Sequence, residues 1–117
     1  MTDPAEILPG ELRGLLVEGA ALALIDVREA DERAYCAIEV PRGVVDLAIP
    51  LWSLPSRLDE VRAALEGGRT AVVYCHHGVR SSQAVAWLST RGVGPSLNLE
   101  GGIDAWSAVV DPGVPRY

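Results

Sequence analysis

The stretch TAVVYCHHGVRSSQAVAWLSTRG, residues 70–92, contains the pattern from which the fold can be predicted. Its first six residues are all apolar, β-branched or aromatic, as in a buried strand. Further along, Ala84 and Leu88 stand at helical spacing. The polar residues HHGVR lie between the two segments. The stretch therefore predicts a buried strand, a tight loop and a helix in direct succession, with Cys75 at the end of the strand.

The same alternation continues along the chain. Helices are predicted over 11–19, 29–35, 54–68, 81–92 and 101–110, and strands over 22–26, 44–50, 70–75 and 96–99. A capping box from Asp26 and Glu29 is expected to start the second helix. Strands separated by helices of this length need crossover connections, which give a parallel sheet covered on both faces. We therefore expect an α/β, three-layer fold with a central, mostly parallel sheet flanked by helices.

Composition limits the number of domains and the classes of partner. A chain of 117 residues that is 49% hydrophobic and 22% charged matches one domain, residues 1–117, with a real core. Ten basic against sixteen acidic residues give a net charge of −6, and no run of Lys or Arg occurs, so no nucleic-acid partner is expected. No segment approaches the roughly 18 apolar residues of a membrane span. We expect a cytoplasmic protein without a membrane contact.

The chain contains two cysteines, Cys36 and Cys75, without a C-x-x-C motif. This spacing indicates neither a disulfide framework nor a zinc knuckle. Cys75 is a candidate nucleophile, although a buried cysteine followed by a solvated turn is the simpler interpretation. Cys36 is expected to be a small buried residue, with resolution of an oxidised Cys75 as the alternative.

Cys75 is expected to lie where parallel α/β sheets bind ligands, beyond the carboxyl end of a strand. The backbone N–H groups of the following helix have no partners in its first turn, and the helix dipole adds positive potential there. Gly78 allows the loop to turn N–H groups inward as an anion cradle, and Arg80 adds a full charge. Such surroundings favour the thiolate and an anionic substrate.

Four further polar residues allow two interpretations each. His76 and His77 are adjacent, so we expect them to point in different directions and to be poor ligands for one metal; no metal site is predicted. They are either solvated or tune the choice of acceptor by charge. Asp26 and Arg28 either support the Cys75 loop, or cap a short helix and pair with a nearby carboxylate, respectively.

The segment Cys75-His-His-Gly-Val-Arg80-Ser resembles the active-site loop of rhodanese-like sulfurtransferases. The segments LIDVRE (24–29), IPLWSLPSRLDEV (49–61) and NLEGGIDAW (98–106) are similar to other parts of the same family, so the resemblance covers nearly the whole chain. It implies a single rhodanese-like domain that uses no cofactor. The match departs from the family at Glu39-Val-Pro-Arg-Gly-Val44, where relatives often read His-Ile-Pro-Gly-Ala.

The resemblance also implies a reaction and the roles of residues. Cys75 would attack a sulfane sulfur donor such as thiosulfate, release sulfite and carry the sulfur as a persulfide. A nucleophilic acceptor would then take it: a thiol, cyanide or a sulfur-carrier protein. The backbone of the active-site loop would form the cradle, and Arg80 would help bind the anionic donor. The loop residues concerned are His76, His77, Gly78, Val79, Arg80 and Ser81.

The tail VDPGVPRY, residues 110–117, resembles tails of rhodanese-like domains, including those fused to enzymes that adenylate ubiquitin-like sulfur carriers. This similarity hints at a protein acceptor near the tail. Alternatively, its two prolines and Tyr117 pin the tail against the fold.

Two other functions compete with sulfur transfer. Cysteine-dependent phosphatases and arsenate reductases use a related loop, but phosphatases place five residues between Cys and Arg, whereas four separate Cys75 from Arg80 here. A non-catalytic or redox-sensing binding module is the other alternative. Non-catalytic members of such folds usually lack the cysteine, and this chain retains it.

Overall fold

The computed structural model describes residues 5–117, so the first four residues of the predicted domain lie outside the description. Helices and strands alternate along the chain. In order, the elements are β1 (Glu6–Ile7), α1 (Pro9–Glu18), β2 (Leu22–Asp26), α2 (Ala30–Tyr35), β3 (Val45–Ala48), a 3-10 helix (Leu51–Arg57), α3 (Leu58–Ala64), β4 (Thr70–Tyr74), α4 (Val79–Thr90), β5 (Ser96–Leu99) and α5 (Gly102–Val109).

The five strands form one sheet in the order β1-β5-β4-β2-β3, and every neighbouring pair is parallel. β4 lies in the middle, paired with β2 on one side and β5 on the other. β2 is buried throughout, and β4 is buried except at Thr70. Strands inside a covered parallel sheet contact helices with both faces, which explains why both read as continuous apolar runs.

Helices cover both faces of this sheet. Because alternate side chains of a strand point to opposite faces, Val72 and Tyr74 join the core beneath α1 and α5. Val73 and the following Cys75 join a second core beneath α3 and α4. The predicted three-layer α/β fold is confirmed, with a sheet that is parallel throughout the described residues.

Some predicted element boundaries are corrected. The predicted helix 54–68 is a 3-10 helix, with Pro55 inside it, followed by the shorter α3. The helix after Cys75 begins at Val79, two residues before the predicted start, because Gly78 adopts a left-handed conformation and serves as its N-cap. The edge strand β1 was not predicted, since two residues carry no recognisable periodicity.

The predicted capping box of α2 is wrong in its residues. Glu29, not Asp26, is the N-cap, and the Glu29 N–H donates to the Glu32 carboxylate at 2.9 Å. Asp26 accepts hydrogen bonds from Arg28 instead, through both the backbone N–H and the side chain of that residue. Because its carboxylate is engaged in this ion pair, Asp26 does not cap the helix as the sequence pattern predicts.

The carboxyl ends of β2, β4 and β5 meet at one edge of the sheet, where the loop after β4 lies. β2 ends at Asp26 opposite Tyr74 of β4, and Asn98 of β5 pairs with Val73. This edge positions the candidate site. Within residues 5–117, no helix has both the length and the apolar character needed to cross a bilayer.

Candidate active site

Cys75 follows β4 directly, and its residue surface is 1% exposed. Its Sγ accepts hydrogen bonds from the backbone N–H of Gly78 at 3.1 Å and of Ser81 at 3.4 Å. The Ser81 hydroxyl is a third neighbour, with Oγ 3.2 Å from Sγ. The sulfur thus lies in apolar packing on one side and against two backbone donors on the other. These donors favour negative charge on the sulfur.

Gly78 makes this geometry possible. Its φ of +100° lies in the left-handed region of backbone conformation, which residues with a Cβ rarely adopt. This conformation turns the chain from the strand into the first turn of α4, where Arg80 and Ser81 lie. The Ser81 N–H and the positive dipole end of α4 therefore point towards Cys75.

Asn98, which the sequence pattern did not indicate, connects β5 to both ends of this turn. Its Nδ2 donates to the Gly78 carbonyl at 3.2 Å, and its Oδ1 accepts from the Ser81 hydroxyl at 2.5 Å. Because a carbonyl only accepts, the amide group must present Nδ2 to Gly78 and Oδ1 to Ser81. Asn98 and Ser81 are both buried. A polar residue in the short strand SLNL was the available signal.

The start of α5 supports the base of the loop. The Ile103 N–H donates to the Cys75 carbonyl at 2.9 Å, and the Asp104 N–H donates to the His76 carbonyl at 3.1 Å. Gly102 lies so close that a Cβ there would stand 2.5 Å from the Cys75 oxygen and would also clash with the His76 carbonyl. The close approach of the α5 backbone to the loop therefore requires glycine at this position.

The Arg80 guanidinium forms an ion pair with Glu32 of α2. Its two terminal nitrogens donate to the two carboxylate oxygens at 2.7 and 2.9 Å. The hydrogen bonds from Arg80 lower the pKa of Glu32 from 4.5 to about 2, against an opposing effect of burial. The same contact raises the pKa of Arg80. The charge that the sequence places in the loop is thus neutralised by a residue 48 positions away.

Asp26 and Arg28 form a buried ion pair beside α2. Two guanidinium nitrogens of Arg28 donate to the Asp26 carboxylate at 2.9 and 2.7 Å. Arg28 also donates to the Cys36 carbonyl at 2.7 Å and to the Tyr117 hydroxyl at 2.9 Å. Burial opposes its charge, but the hydrogen bonds to Asp26 and Tyr117 outweigh burial and raise its pKa. Through these contacts Arg28 connects the end of α2 to the tail. They do not bring Asp26 or Arg28 to the sulfur of Cys75.

His76 and His77 do not point in different directions, contrary to the expectation from the sequence. Their rings stack with centroids 3.8 Å apart, because the backbone bends at these residues instead of remaining extended. Tyr117 stacks on His76, also at 3.8 Å. Burial lowers the pKa of His76, and the neighbouring His77 lowers it further, which favours the neutral form of this ring.

The two histidines and Asp104 have possible ligand atoms within 4.8 Å of one another. Imidazole and carboxylate groups suit divalent first-row metals. Asp104 already accepts two hydrogen bonds from Arg116, at 2.9 and 3.0 Å. These residues could hold such a metal only if Asp104 exchanged Arg116 for it.

The tail is packed against the fold, in agreement with the second interpretation of its sequence. Val114 is buried, and its carbonyl accepts from the Ser107 hydroxyl at 2.5 Å. The Tyr117 hydroxyl donates to Glu32 at 2.9 Å. Cys36 is buried under the tail, as expected, and both cysteines are free thiols.

A parallel α/β sheet that holds a cysteine in an amide-lined loop at a helix N-terminus suits proteins that carry an anionic group on sulfur. The profile of the rhodanese-like domain family matches residues 8–109. The chain belongs to this family, whose named homologues include sulfurtransferases.

Individual relatives agree with the family match. A sulfurtransferase of Allochromatium vinosum is 34% identical over 104 residues, which cover 87% of each chain. The probable adenylyltransferase/sulfurtransferase MoeZ of Mycobacterium tuberculosis is 36% identical over 95% of this chain, but the match spans only 26% of MoeZ. A rhodanese-like domain protein from Staphylococcus aureus is 28% identical, with a TM-score of 0.75 over 97% of this chain and 98% of that one.

Proposed function

We propose that this protein transfers sulfane sulfur from a donor to a nucleophilic acceptor through a persulfide on Cys75. The observation that carries the proposal is the pair of backbone N–H groups, from Gly78 and Ser81, on the Cys75 sulfur. The family relationship supports the reaction class, and the residues of the loop support the assignment of Cys75 as its nucleophile.

The reaction consists of two displacements. With thiosulfate, the Cys75 thiolate attacks the outer sulfur, the sulfur–sulfur bond of the donor breaks, and sulfite leaves with the bonding electron pair. The outer sulfur remains on Cys75 as a persulfide anion. An acceptor nucleophile then attacks that sulfur, and the Cys75 thiolate leaves. No net oxidation or reduction of the protein occurs over the cycle.

The loop residues have distinct parts in this proposal. Within the backbone from His76 to Ser81, the Gly78 and Ser81 N–H groups stabilise the anionic sulfur, because they already face Cys75 and need no reorganisation. Arg80 contacts an anionic donor only after it leaves Glu32. Since Cys75 is 1% exposed, neighbouring side chains must move before any donor reaches the sulfur.

The physiological acceptor is a thiol or a sulfur-carrier protein, and cyanide serves as a laboratory acceptor. The similarity to MoeZ, whose name joins adenylyl transfer to sulfur transfer, favours the sulfur-carrier protein. Two free thiols support a reducing, cytoplasmic location.

Intact-mass measurement tests the proposal directly. The purified protein is incubated with thiosulfate or with glutathione persulfide, and then with cyanide. We expect a gain of one sulfur atom that cyanide removes and that peptide mapping places on Cys75. Cys36→Ser should retain the gain, and Cys75→Ser should lose it while keeping the wild-type circular dichroism. Absence of the gain with both donors, or its location on Cys36, would refute the proposal.

A further inference from the structure

Glu32 holds the cationic side chain of the active-site loop in a fixed position. It accepts hydrogen bonds from four donors: two nitrogens of Arg80, the Glu29 N–H and the Tyr117 hydroxyl. The Glu32 side chain is 18% exposed and that of Arg80 is 34% exposed, so water screens this pair only in part. A carboxylate that accepts this many hydrogen bonds keeps its position as long as no sulfur donor is bound.

The charges around the loop therefore cancel. Glu32 is ionised throughout the neutral range, since its pKa is lowered to about 2 by Arg80. Nearby, Arg28 is matched by Asp26, and Arg116 is matched by Asp104. Burial lowers the pKa of His76, which favours the neutral form of its ring. Each of the arginines named here, Arg28, Arg80 and Arg116, is paired with a carboxylate. None of them is therefore free to attract an anionic sulfur donor.

Such a site discriminates between donors by their charge. Backbone N–H groups stabilise one negative charge on sulfur well. A dianion brings a second charge, which requires a cation, and it also meets the ionised Glu32 carboxylate beside the loop. A donor with a single negative charge avoids both costs.

We infer that Glu32 is a specificity-determining residue, which keeps Arg80 from the donor and so selects a persulfide of a thiol, with one negative charge, over the dianion thiosulfate. This inference rests on the proposed function. In the favoured step, the Cys75 thiol loses its proton and its sulfur attacks the outer sulfur of R–S–S⁻. The donor's sulfur–sulfur bond breaks, the outer sulfur remains on Cys75 as a persulfide anion, and R–S⁻ takes up the proton and leaves as R–SH.

The test compares two donors in matched variants. The ratio kcat/KM is measured for thiosulfate and for the persulfide of 2-mercaptoethanol, whose only charge is that of its ionised persulfide, with cyanide as the common acceptor. Glu32→Gln removes the charge and still accepts from the Glu29 N–H, since glutamine also serves in a capping box. Tyr117→Phe removes one hydrogen bond to Glu32 and leaves the Arg80 ion pair intact. Circular dichroism and thermal unfolding establish that each variant is folded.

We expect Glu32→Gln to raise kcat/KM for thiosulfate about tenfold, mainly through a lower KM, because Arg80 becomes free to bind the donor. The value for the persulfide of 2-mercaptoethanol should change less than about threefold. The gain should vanish in Glu32→Gln combined with Arg80→Gln, which shows that Glu32 acts through Arg80. Tyr117→Phe keeps the Glu32 charge and both Arg80 hydrogen bonds, so it should raise the value for thiosulfate by no more than about threefold.

The proposed function and the role of Glu32 fail differently. If the wild-type protein takes up sulfur from neither donor, the proposed function is refuted, and this inference with it. If sulfur uptake is intact but Glu32→Gln leaves the donor ratio unchanged, or lowers the value for thiosulfate, only the inference is refuted. A tenfold gain that persists without Arg80 would refute it as well.

Discussion

Replacement of Gly102 by alanine should both weaken the fold and disturb the Cys75 loop. Gly102 has φ +62°, and a Cβ there would stand 2.5 Å from the Cys75 oxygen and would clash with the His76 carbonyl. These carbonyls are the acceptors for the first N–H groups of α5. The methyl group therefore pushes α5 away from the base of the loop.

The magnitude follows from three contributions. Alanine in the left-handed region costs about 1 kcal/mol. An ordinary contact begins at 3.4 Å, so a methyl group at 2.5 Å forces a separation of about 1 Å. This separation breaks the hydrogen bonds from Ile103 and Asp104, at about 1 kcal/mol each. The free energy of unfolding should fall by about 3 kcal/mol. A typical domain has a free energy of unfolding of roughly 5–15 kcal/mol, so the variant should still fold.

Gly92→Ala is the matched control, because Gly92 has φ +67° and no atom within 4 Å of the position that a Cβ would take. It should cost only the backbone term of about 1 kcal/mol. Urea unfolding followed by tryptophan fluorescence measures both variants, and alkylation of Cys75 by iodoacetamide is measured in a Cys36→Ser background. We expect the rate of Cys75 alkylation to differ from that of the Cys36→Ser parent in Gly102→Ala, and to equal it in Gly92→Ala. Equal unfolding free energies for the two variants would refute the proposed role of the α5 contact.

Two further predictions concern residues that hold the loop. Asn98→Ala removes the hydrogen bond to the Gly78 carbonyl and the acceptor for the Ser81 hydroxyl, so the N–H groups of these two residues are held less firmly against the Cys75 sulfur. The rate of Cys75 alkylation at pH 7 should therefore fall about tenfold. In Ser81→Ala the rate should fall about threefold. Alkylation of Asn98→Ala at the wild-type rate would contradict the positioning role of the amide. Glu32 has its pKa lowered from 4.5 to about 2, so its contribution to stability is complete above about pH 5 and is lost as the pH falls towards 2. The difference in unfolding free energy between wild type and Glu32→Gln, about 1 kcal/mol after screening, should therefore shrink on acidification, and a difference that grows in acid would show that the ion pair is not its source.

The centre of the fold was predictable because its signals are local. Strand β4, the glycine turn and helix α4 follow one another within 21 residues, and each has its own pattern of apolar side chains or its own glycine. β1 was not predictable, since it consists of two residues whose partner, β5, is about 90 residues away in sequence. The capping box failed for another reason: Asp26 fits the pattern, but the buried Arg28 binds it instead.

The same distinction applies to the candidate site. Cys75, Gly78 and Ser81 follow one another closely, from the end of β4 to the first turn of α4, so sequence spacing alone brings them together. Asn98 and Glu32 reach that loop across 20 and 48 positions, to Gly78 and Arg80 respectively. No spacing rule connects residues so far apart, because their proximity is a property of the sheet and of the placement of α2.

Tyr117 makes the end of the tail and the cation of the loop thermodynamically dependent on each other. Its hydroxyl bridges Arg28 and Glu32, and its ring lies on His76. A molecule that pulled Tyr117 away would leave Glu32 with one donor fewer and make Arg80 easier to release. By reciprocity, a donor that drew Arg80 from Glu32 would loosen Tyr117 by the same free energy, so occupancy of the sulfur site would be readable at the tail.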